Sequence, residues 1–556
     1  MNQQPRGNVN RLNIWLPLLF ALVLVAGMLI GMRLQSETPT VVIDAQGNNT
    51  PEGGKLEEIL RYIDAKYVDN VSRDKLVDDA IHDILKQLDP HSNYIPSEHL
   101  QEVNEQLEGN FDGIGVEFLI LEDTVVVVAP LAGGPAEEAG ILASDKIIYV
   151  EDSLIAGVGT TSTGIMDLLR GERGSKVKIS VLRGNEPKLR QFTLTRDEIP
   201  MHSIDVAYML DNKTGYIKIN RFSATTYEEF MKSLEKLVEK QGMKDLVIDL
   251  RQNPGGYLQQ ATNILSQLFK DKGKLLVYTE GRSVHRSDYE STGRTFYNIK
   301  NIAVLIDEGS ASASEIMAGA LQDHDRAYII GRRSFGKGLV QEQYDLRDGS
   351  ALRLTVARYF TPSGRSIQKS YTNKDEYDND VWDRLESGEL SSEERMNVAD
   401  TTKYYTSSGR VVYGGGGIMP DVFVPIDTVV LNEYYAELRQ HVPQFAYRYT
   451  TNNRSKFEYS SLEQFKRNFS VTDQMLNAFM DYAASQKVQK DPKQLAAIKP
   501  ELKLYMKARF ARQLFDDESF YKIWNEQDPV VRKALQTIYK SNPISEYQHK
   551  YQQAGK

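Results

Sequence analysis

The residue types best suited to chemistry lie in the segment Gly309-Ser-Ala-Ser-Ala-Ser-Glu-Ile316, which directly follows the apolar segment Asn301-Ile-Ala-Val-Leu-Ile-Asp307. The β-branched residues of the apolar segment predict a buried strand, and the small residues after it predict a tight turn that leads into a helix. A polar atom held at this turn lies beside free backbone N–H groups, where negative charge is favoured. This geometry suits a nucleophile for acyl transfer and the oxyanion that it creates.

Three serines of this turn compete for that role, and a purely structural role must be weighed beside it. Ser312 and Glu315 have the spacing of a capping box, in which the serine serves only to begin a helix. Ser310 and Ser314 are rival nucleophiles. The turn by itself therefore leaves both catalysis and capping open.

A candidate base lies downstream in Ser334-Phe-Gly-Lys-Gly-Leu-Val-Gln341. Glycines on both sides of Lys337 permit close packing, and the neighbouring apolar residues can remove water from its amine, which favours the neutral form. Whether this segment is a strand or a helix, positions 337 and 341 fall on one face, so Gln341 can orient the amine. The alternative is a solvated lysine in a glycine-rich hairpin.

A third segment is Asp249-Leu-Arg-Gln-Asn-Pro-Gly-Gly256. Together with the serine and lysine segments, it resembles in order and spacing the three core motifs of a known family. This family is the C-terminal processing, or tail-specific, serine peptidases with a Ser-Lys dyad. The resemblance covers roughly residues 80 to 428, and it implies a crotonase-like α/β peptidase core with an inserted PDZ domain. It implies no cofactor and no metal ion.

The resemblance also assigns roles to individual residues. It implies that Ser312 is the nucleophile, that Lys337 is the general base and that Gln341 orients the base. The choice of Ser312 over its neighbours rests on the family's spacing between nucleophile and lysine. The implied oxyanion hole consists of backbone N–H groups, those of Ala313, Gly255 and Gly256.

Two histidines offer a different base. His91 lies in Leu88-Asp-Pro-His-Ser-Asn-Tyr-Ile95, which breaks a helical pattern and which we interpret as a structural turn. His324 follows Ser312 by 12 residues and would suit a Ser-His hydrolase. Its neighbours are charged, however, which favours a solvated helix end.

Residues 109–198 resemble a PDZ domain. The segment Gly134-Pro-Ala-Glu-Glu-Ala-Gly140 is similar to the turn and helix of such domains, and Gly164 to Leu169 supply a second helix. Glycines let successive N–H groups point toward one place, which suits the terminal carboxylate of a peptide added to a sheet edge. The predicted peptide-binding loop is Gly113, Ile114, Gly115 and Val116. The predicted strands are Gly113–Leu121, Thr124–Ala129, Lys146–Val150, Lys176–Leu182 and Gln191–Thr195.

The remaining regions follow from periodicity and composition. Residues 55–108 have apolar residues at helical spacing, residues 199–428 alternate apolar strands with helices and predict parallel pairing, and residues 429–556 predict a helical C-terminal extension. Within the core, 345–358 predicts a hairpin, and 373–406 is strongly polar and predicts an insertion over the surface. The extension contains no catalytic constellation.

The N-terminal segment predicts attachment to a membrane. Residues 12–32 carry no charge and are long enough to span a bilayer, while Arg6 and Arg11 before them place residues 1–11 in the cytoplasm. A cleaved signal peptide is the alternative, but its apolar region would normally be ~7–15 residues. Residues 33–54 then form a linker. The chain has no cysteine, which excludes a lipoprotein anchor and disulfides, and its net charge of −9 argues against nucleic acid as a partner.

These observations predict a single-pass protein of the bacterial cytoplasmic (inner) membrane with its catalytic part on the periplasmic or extracytoplasmic side. We expect a serine endopeptidase that recognises C-terminal tails of protein or peptide substrates through its PDZ domain and cleaves them by a Ser-Lys mechanism through an acyl-enzyme. Association into a homo-oligomer is compatible with this function. The alternative is a non-catalytic PDZ adaptor on an inactive peptidase scaffold, against which the intact Ser312, Lys337 and Gln341 argue.

Overall fold

The computed structural model describes residues 52–131, 133–184, 186–396, 400–429 and 431–540. The predicted cytoplasmic N-terminus, the predicted membrane span and the linker up to residue 51 lie outside the described residues. In the ranges that are described, no helix has both the length and the apolar composition that crossing a bilayer requires. The chain divides into two compact units, Met1–Ala80 and Ile81–Lys556.

The first unit contains the helix Glu52–Lys66 and the beginning of the helix Arg73–Leu85. Arg73 joins the two helices, because its guanidinium contacts Glu57 at 2.8 Å and Asp64 at 3.0 Å. All three side chains are exposed, so these ion pairs stabilise the unit only weakly.

In the second unit the helical pattern of residues 55–108 is broken within residues 88–95, as the sequence predicts. Strand β1 (Asn93–Ile95) interrupts the helices and is followed by the helix Ser97–Glu108. The turn before β1 is fixed by Asp89, whose carboxylate accepts hydrogen bonds from the N–H groups of His91 at 2.8 Å and Ser92 at 2.9 Å. The Asp-Pro-His segment therefore forms an ordered turn that delivers a strand to a distant sheet.

The PDZ region is an antiparallel sheet closed by two helices, Pro135–Glu138 and Ser162–Leu169. Its sheet has the strand order β3-β4-β5-β7-β8, with β6 beside β5, while β2 pairs with β9. The predicted first strand is divided, because the Gly-x-Gly segment separates β2 from β3. The strands are β2 (Asn110–Gly113), β3 (Val116–Leu121), β4 (Thr124–Pro130), β5 (Lys146–Val150), β6 (Ser153–Leu154), β7 (Lys176–Leu182), β8 (Arg190–Thr195) and β9 (Asp197–Pro200).

The peptidase core combines a mostly parallel sheet with an antiparallel one. The strands are β10 (Ile204–Met209), β11 (Thr214–Ile219), β12 (Asp245–Asp249), β13 (Lys272–Glu280), β14 (Ser287–Thr292), β15 (Ile302–Ile306), β16 (Tyr328–Gly331), β17 (Leu339–Asp345), β18 (Ala351–Phe360), β19 (Lys403–Tyr405), β20 (Val411–Tyr413) and β21 (Val422–Phe423). The helices are Thr226–Glu235, which continues as the π-helix Lys236–Lys240, then Leu258–Leu268, Ala313–Asp323 and Lys374–Glu386.

The first core sheet has the order β10-β11-β12-β15-β16-β21 and is parallel from β11 to β21, as the alternation of strands and helices predicted. Strands β12 and β15 are buried along their whole length, which explains their continuous apolar sequences. Because parallel strands share a direction, the loops after β12 and β15 meet at one edge. These loops carry the Gly-Gly and serine motifs.

The second core sheet brings the N-terminal turn and the lysine segment together. Strand β18 pairs with β1, β13 and β17, all antiparallel, and the predicted hairpin is formed by β17 and β18. The register shifts between Val340 and Gln341, and such irregularities change the direction of a side chain.

The described residues of the polar segment 373–406 lie mostly at the surface, as its composition predicted, but a few of its polar side chains are buried. Its helix Lys374–Glu386 buries Arg384, which donates hydrogen bonds to the carbonyl oxygens of Arg333 at 3.2 Å, Ser334 at 2.9 Å and Phe335 at 3.4 Å. Arg333 in turn pairs with Glu389 at 2.6 Å. Polar side chains can be buried once their hydrogen bonds are satisfied, so this insertion packs against the lysine segment.

The C-terminal part is helical, as predicted. Asn, Ser, Thr or Asp side chains cap each helix by accepting hydrogen bonds from its first N–H groups. The last helix packs Val530, Val531, Ala534 and Ile538 against the face of the parallel sheet opposite the core helices, where Tyr521 of the preceding helix also packs. The helices are Glu433–Asn452, Leu462–Asn468, Asp473–Ser485, Pro492–Leu514, Asp517–Trp524 and Pro529–Tyr539.

Candidate active site

Ser312 lies where the turn after β15 meets the helix Ala313–Asp323. Its backbone has φ 53° and ψ −114°, a conformation that costs energy for any residue with a Cβ atom. Its carbonyl oxygen accepts hydrogen bonds from the N–H groups of Glu315 at 2.8 Å and Ile316 at 2.9 Å, which begin the helix. Ser312 remains partly exposed at this helix N-terminus.

The two rival serines are fully buried and their hydroxyl groups are engaged. Ser310 Oγ donates to the carbonyl oxygen of Leu250 at 2.9 Å and accepts from the N–H of Asp307 at 3.0 Å. Ser314 Oγ donates to the carbonyl oxygen of Asn253 at 3.0 Å. Both serines therefore tie the serine turn to the loop after β12, and Ser312 is the one that a substrate can reach.

Glu315 links the nucleophile turn to the lysine segment. Its buried carboxylate accepts hydrogen bonds from the N–H of Ser312 at 2.9 Å, the hydroxyl of Ser334 at 2.5 Å, and the N–H groups of Gly336 at 2.7 Å and Lys337 at 2.8 Å. Burial raises the pKa of Glu315 to about 7, and these four donors act in the opposite direction. The capping-box spacing thus marks a residue that organises the site.

Lys337 has the desolvated environment that its flanking residues predict. Burial lowers the pKa of its amine, the charge of Arg353 acts in the same direction, and Glu315 and Asp89 oppose them. Gly336 has φ +93°, and a Cβ atom there would lie 3.1 Å from Lys369 Cβ. The glycine before the lysine is therefore required both by its conformation and by close packing.

Gln341 contacts the lysine as the spacing of the two residues predicts, with Lys337 Nζ donating to Gln341 Oε1 at 2.9 Å. Gln341 Nε2 donates to the backbone carbonyl oxygen of His91. The imidazole of His91 points elsewhere, because its Nε2 lies 2.6 Å from Tyr377 Oη. Burial lowers the pKa of His91 to about 4, helped by the charge of Lys337.

Two of the three predicted oxyanion donors are free. The Gly255 N–H donates to Asn253 Oδ1 at 2.8 Å, whereas the N–H groups of Gly256 and Ala313 have no acceptor in the described part of the chain. A Cβ atom on Gly255 would lie 2.7 Å from Ser312 Cβ and 2.9 Å from the Ala313 nitrogen. The Gly-Gly loop therefore approaches the serine turn closely enough to exclude any larger residue at position 255.

The predicted peptide-binding loop precedes the edge strand β3. Gly113 ends β2, Gly115 has φ +71°, and Val116 begins β3, while the Ile114 side chain is buried in the domain core. The carbonyl oxygen of Ile114 accepts from the Ala136 N–H at 2.9 Å, which fixes the loop to the first helix of the domain.

His324 lies far from the serine. It caps the C-terminal end of the helix Ala313–Asp323, whose 11 residues separate it from Ser312 by about 16 Å. Its Nε2 contacts the carbonyl oxygen of Leu275 at 2.6 Å. This geometry removes the Ser-His alternative.

Three residues contribute to the site although the sequence analysis assigned no role to them. Tyr359 is buried on β18 and donates hydrogen bonds to the carbonyl oxygens of Ser312, at 3.1 Å, and Lys337. Asn253 shapes the Gly-Gly loop, and Arg384 holds the backbone ahead of Lys337. The Asn-Pro-Gly-Gly turn is a signal for Asn253, but no local pattern marks Tyr359 or Arg384.

Three regions of the chain match models of known protein families. The model of peptidase family S41 matches residues 213–377, a PDZ domain model matches residues 113–194, and a family of unknown function, DUF8443, matches residues 434–516. The three matches follow the core, the PDZ region and the C-terminal helices.

Individual relatives are similar over most of their own length. A carboxy-terminal-processing protease of Bartonella bacilliformis is 36% identical over 350 residues, which are 62% of this chain and 79% of the relative. The carboxy-terminal processing protease CtpB of Bacillus subtilis is 35% identical over 353 residues, 62% of this chain and 72% of the relative. A solved photosystem II D1 C-terminal processing protease is 31% identical, and the match covers 57% of this chain and 91% of that chain with a TM-score of 0.34.

Proposed function

This chain belongs to the carboxy-terminal processing serine peptidases of family S41, and we propose that it cleaves peptide bonds with Ser312 as nucleophile and Lys337 as general base. The observation that carries the proposal is the Glu315 carboxylate, which binds the backbone N–H groups of both residues. This shared buried acceptor fixes the loop of the serine relative to the loop of the lysine. The depressed pKa of Lys337 supports its role, because a base must be neutral.

In this mechanism Lys337 accepts the hydroxyl proton as Ser312 Oγ attacks the carbonyl carbon of the scissile bond. The N–H groups of Ala313 and Gly256 stabilise the oxyanion that forms. Lys337 then gives its proton to the leaving amine, which departs and leaves an acyl-enzyme on Ser312. Water attacks the acyl carbon, Lys337 takes a proton from that water and returns it to Ser312, and the carboxylate product leaves. Gln341 Oε1 orients the amine throughout.

The PDZ domain supplies substrate capture in this proposal. A C-terminal tail would add to the free edge of β3 with its carboxylate at the loop Gly113–Val116. The position of β3 at the edge of its sheet supports this assignment. The substrates are then proteins or peptides whose C-terminal tail is accessible.

The proposal also covers the domain boundaries and the cellular location of the protein. Residues 199–428 form a crotonase-like core, 109–198 the PDZ domain and 429–556 a helical extension, and no cofactor takes part. Residues 12–32 anchor the protein in the bacterial cytoplasmic membrane and place the catalytic part outside the cytoplasm. The uncharged 21-residue segment between Arg11 and Arg33 supports the anchor.

The test uses a denatured protein with an apolar C-terminal tail, a version without the tail, and a tail peptide in free and amidated forms. We expect cleavage of the tailed protein, slower cleavage without the tail, and a raised KM for the amidated peptide with little change in kcat. Ser312→Ala serves as the inactive control. Equal KM values for the free and amidated peptides would contradict capture of the carboxylate, whereas binding without any cleavage would favour the adaptor alternative.

A further inference from the structure

Arg353 lies on the sheet face that carries the orienting glutamine. Gln341 is paired with Thr355 across the β17–β18 hairpin, and Gln343 is paired with Arg353. Residues two positions apart on a strand share a face, so the side chains of Arg353 and Gln343 stand beside the Gln341 that contacts Lys337. Arg353 Nη2 donates to Gln343 Oε1 at 3.0 Å.

The charge of Arg353 has no counter-ion in the described ranges of the chain, although its side chain is half-buried. The nearby carboxylate of Asp345 accepts instead from Gln343 Nε2 at 3.4 Å. Two more deeply buried arginines of the core have carboxylate partners, Arg333 in Glu389 and Arg365 in Asp323, whereas Arg326 is satisfied by three backbone carbonyl oxygens. Burial lowers the pKa of Arg353, which fits a cation whose desolvation is uncompensated. The guanidinium Nε and Nη1 also lack acceptors among the described residues, so they can donate hydrogen bonds to a ligand oxygen.

Arg353 also lies close to both sides of the reaction centre. Its charge helps to lower the pKa of the Lys337 amine, and Tyr257 in turn raises the pKa of Arg353. Tyr257 directly follows the Gly-Gly loop, and 40% of its surface is exposed. Arg353 therefore lies within electrostatic range of both loops.

A polar contact connects this position with the PDZ side of the molecule. Gln343 Nε2 donates to Asn104 Oδ1 at 3.2 Å, and Asn104 belongs to the helix Ser97–Glu108. Asn104 lines a groove of about 420 Å³ that extends along this helix to Phe111 and Asp112. Asp112 immediately precedes the loop Gly113–Val116. The Arg353 position thus lies between the reaction centre and the start of the peptide-binding loop.

We propose that Arg353, held by Gln343, binds the carboxylate of an Asp or Glu side chain of the substrate, at a position C-terminal to the scissile bond. This inference rests on the proposed function: if the PDZ domain holds the C-terminus, the residues between the cleaved bond and that terminus cross the Arg353 position. A guanidinium fork matches a carboxylate with two parallel hydrogen bonds, and the carboxylate supplies the missing counter-charge.

The test is a peptide panel in which each position C-terminal to the scissile bond carries Asp or Asn. We expect one position at which Asp gives a kcat/KM roughly tenfold above Asn, the scale of a charge-assisted hydrogen bond. Arg353→Gln reduces this Asp-to-Asn ratio to about one. Arg353→Glu lowers it below one, and a peptide with Lys at the same position should then be cleaved best. Arg358→Gln is the matched control on the same strand, because Arg358 is exposed and bonds Tyr371 Oη at 3.1 Å.

The Asp-to-Asn ratio separates specificity from general damage. Loss of the Arg353 charge also changes Lys337, but that change affects both peptides equally. Arg353→Lys, which keeps the charge and loses the fork, should retain part of the preference. A wild-type enzyme that cleaves the panel without any acidic preference, or an acidic preference that survives in Arg353→Gln, overturns this inference while leaving the peptidase proposal intact. Absence of all cleavage would instead defeat the peptidase proposal.

Discussion

The side chain of Glu315 binds the backbone of Lys337: Glu315 Oε2 accepts a hydrogen bond from the Lys337 N–H at 2.8 Å. The same oxygen accepts the Ser312 N–H at 2.9 Å. One carboxylate oxygen therefore fixes the separation of the two loops that present nucleophile and base. Small displacements of reacting groups reduce rates strongly, so this oxygen should matter for kcat more than for substrate binding.

Glu315→Gln tests this role. The amide NH₂ group must face N–H or O–H donors that now lack an acceptor, and we expect kcat to fall by roughly 10²-fold with a small change in KM. Unpaired buried groups should also cost ~1–3 kcal/mol of unfolding free energy. Because the pKa of Glu315 is raised from 4.5 to about 7, the folded protein binds more protons in that range, and this group's contribution to stability falls as pH rises from 4.5 to 7.

Glu315→Gln should abolish that pH-dependent part of the stability, which denaturant unfolding at several pH values measures. Glu239→Gln is the control, since Glu239 is exposed and bonds only Tyr297 Oη at 3.1 Å. Normal kcat in Glu315→Gln would show that the two loops keep their separation without this carboxylate.

Ser312 should be indispensable for cleavage and unfavourable for stability. Both Ser312→Ala and Ser312→Gly are expected to be inactive and folded. Ser312→Gly should be more stable than Ser312→Ala by about 1 kcal/mol or more, because glycine adopts φ 53° and ψ −114° without strain. Kinetics on a tail peptide and thermal unfolding measure the two effects.

Ser310→Ala and Ser314→Ala serve as controls for the nucleophile. Each loses buried hydrogen bonds, so each should lower stability by ~1–2 kcal/mol while cleavage persists. Retained cleavage in Ser312→Ala together with its loss in either control would show that another serine is the nucleophile.

The lowered pKa of Lys337 predicts that activity increases with pH. Its folded-state pKa is lowered from 10.5, chiefly by burial, so kcat/KM should rise as the amine loses its proton. Ionisation of Glu315 near pH 7 raises the pKa of Lys337, so it acts against this rise. The residual activity of Glu315→Gln isolates the lysine: the rise due to Lys337 should persist there, and a flat profile would contradict it.

The same lysine fixes the sign of a stability effect. Between the lowered pKa and the ordinary value of 10.5 the unfolded chain binds more protons than the folded one, so stability from this group increases with pH across that window. Below the window the buried charge is unfavourable, and Lys337→Met should be inactive yet equally or more stable at neutral pH. A variant that loses activity only because it unfolds would not support a desolvated base.

His91 should contribute its backbone and not its ring to catalysis. Its carbonyl oxygen accepts from Gln341 Nε2, and its imidazole faces Tyr377. We expect His91→Ala to lower stability, since the Tyr377 hydroxyl loses its 2.6 Å partner, and to reduce kcat far less than Lys337→Met. Loss of cleavage equal to that of Lys337→Met in a folded His91→Ala protein would require the imidazole itself in the reaction.

Deletion of residues 1–33 tests the proposed anchor. The segment contains none of the motif residues, so the shortened protein should leave the membrane fraction and keep the kcat of the full chain. Fractionation with the full-length protein as reference, followed by the peptide assay, measures both properties. A folded but inactive shortened protein would give the N-terminal segment a role beyond attachment.

The sequence by itself determined the features that depend on near neighbours. The apolar run before the serines is β15, the small residues form the turn, and the spacing from Lys337 to Gln341 places their side chains in contact. Alternation of strand and helix was enough for the parallel sheet. Turn residues and hydrophobic periodicity act over a few positions, so they can be recognised without the rest of the chain.

Only the tertiary structure decided which polar groups those motifs bind. In the folded chain Ser310 and Ser314 are buried, and the Gly255 N–H donates to Asn253. The His91 carbonyl oxygen accepts from Gln341, which is 250 residues away in sequence. The polar segment 373–406 lies mostly at the surface, as expected, yet its Arg384 is only 2% exposed. A buried donor must find an acceptor wherever the chain path supplies one, and that path is set by packing between distant elements, so no local pattern contains it.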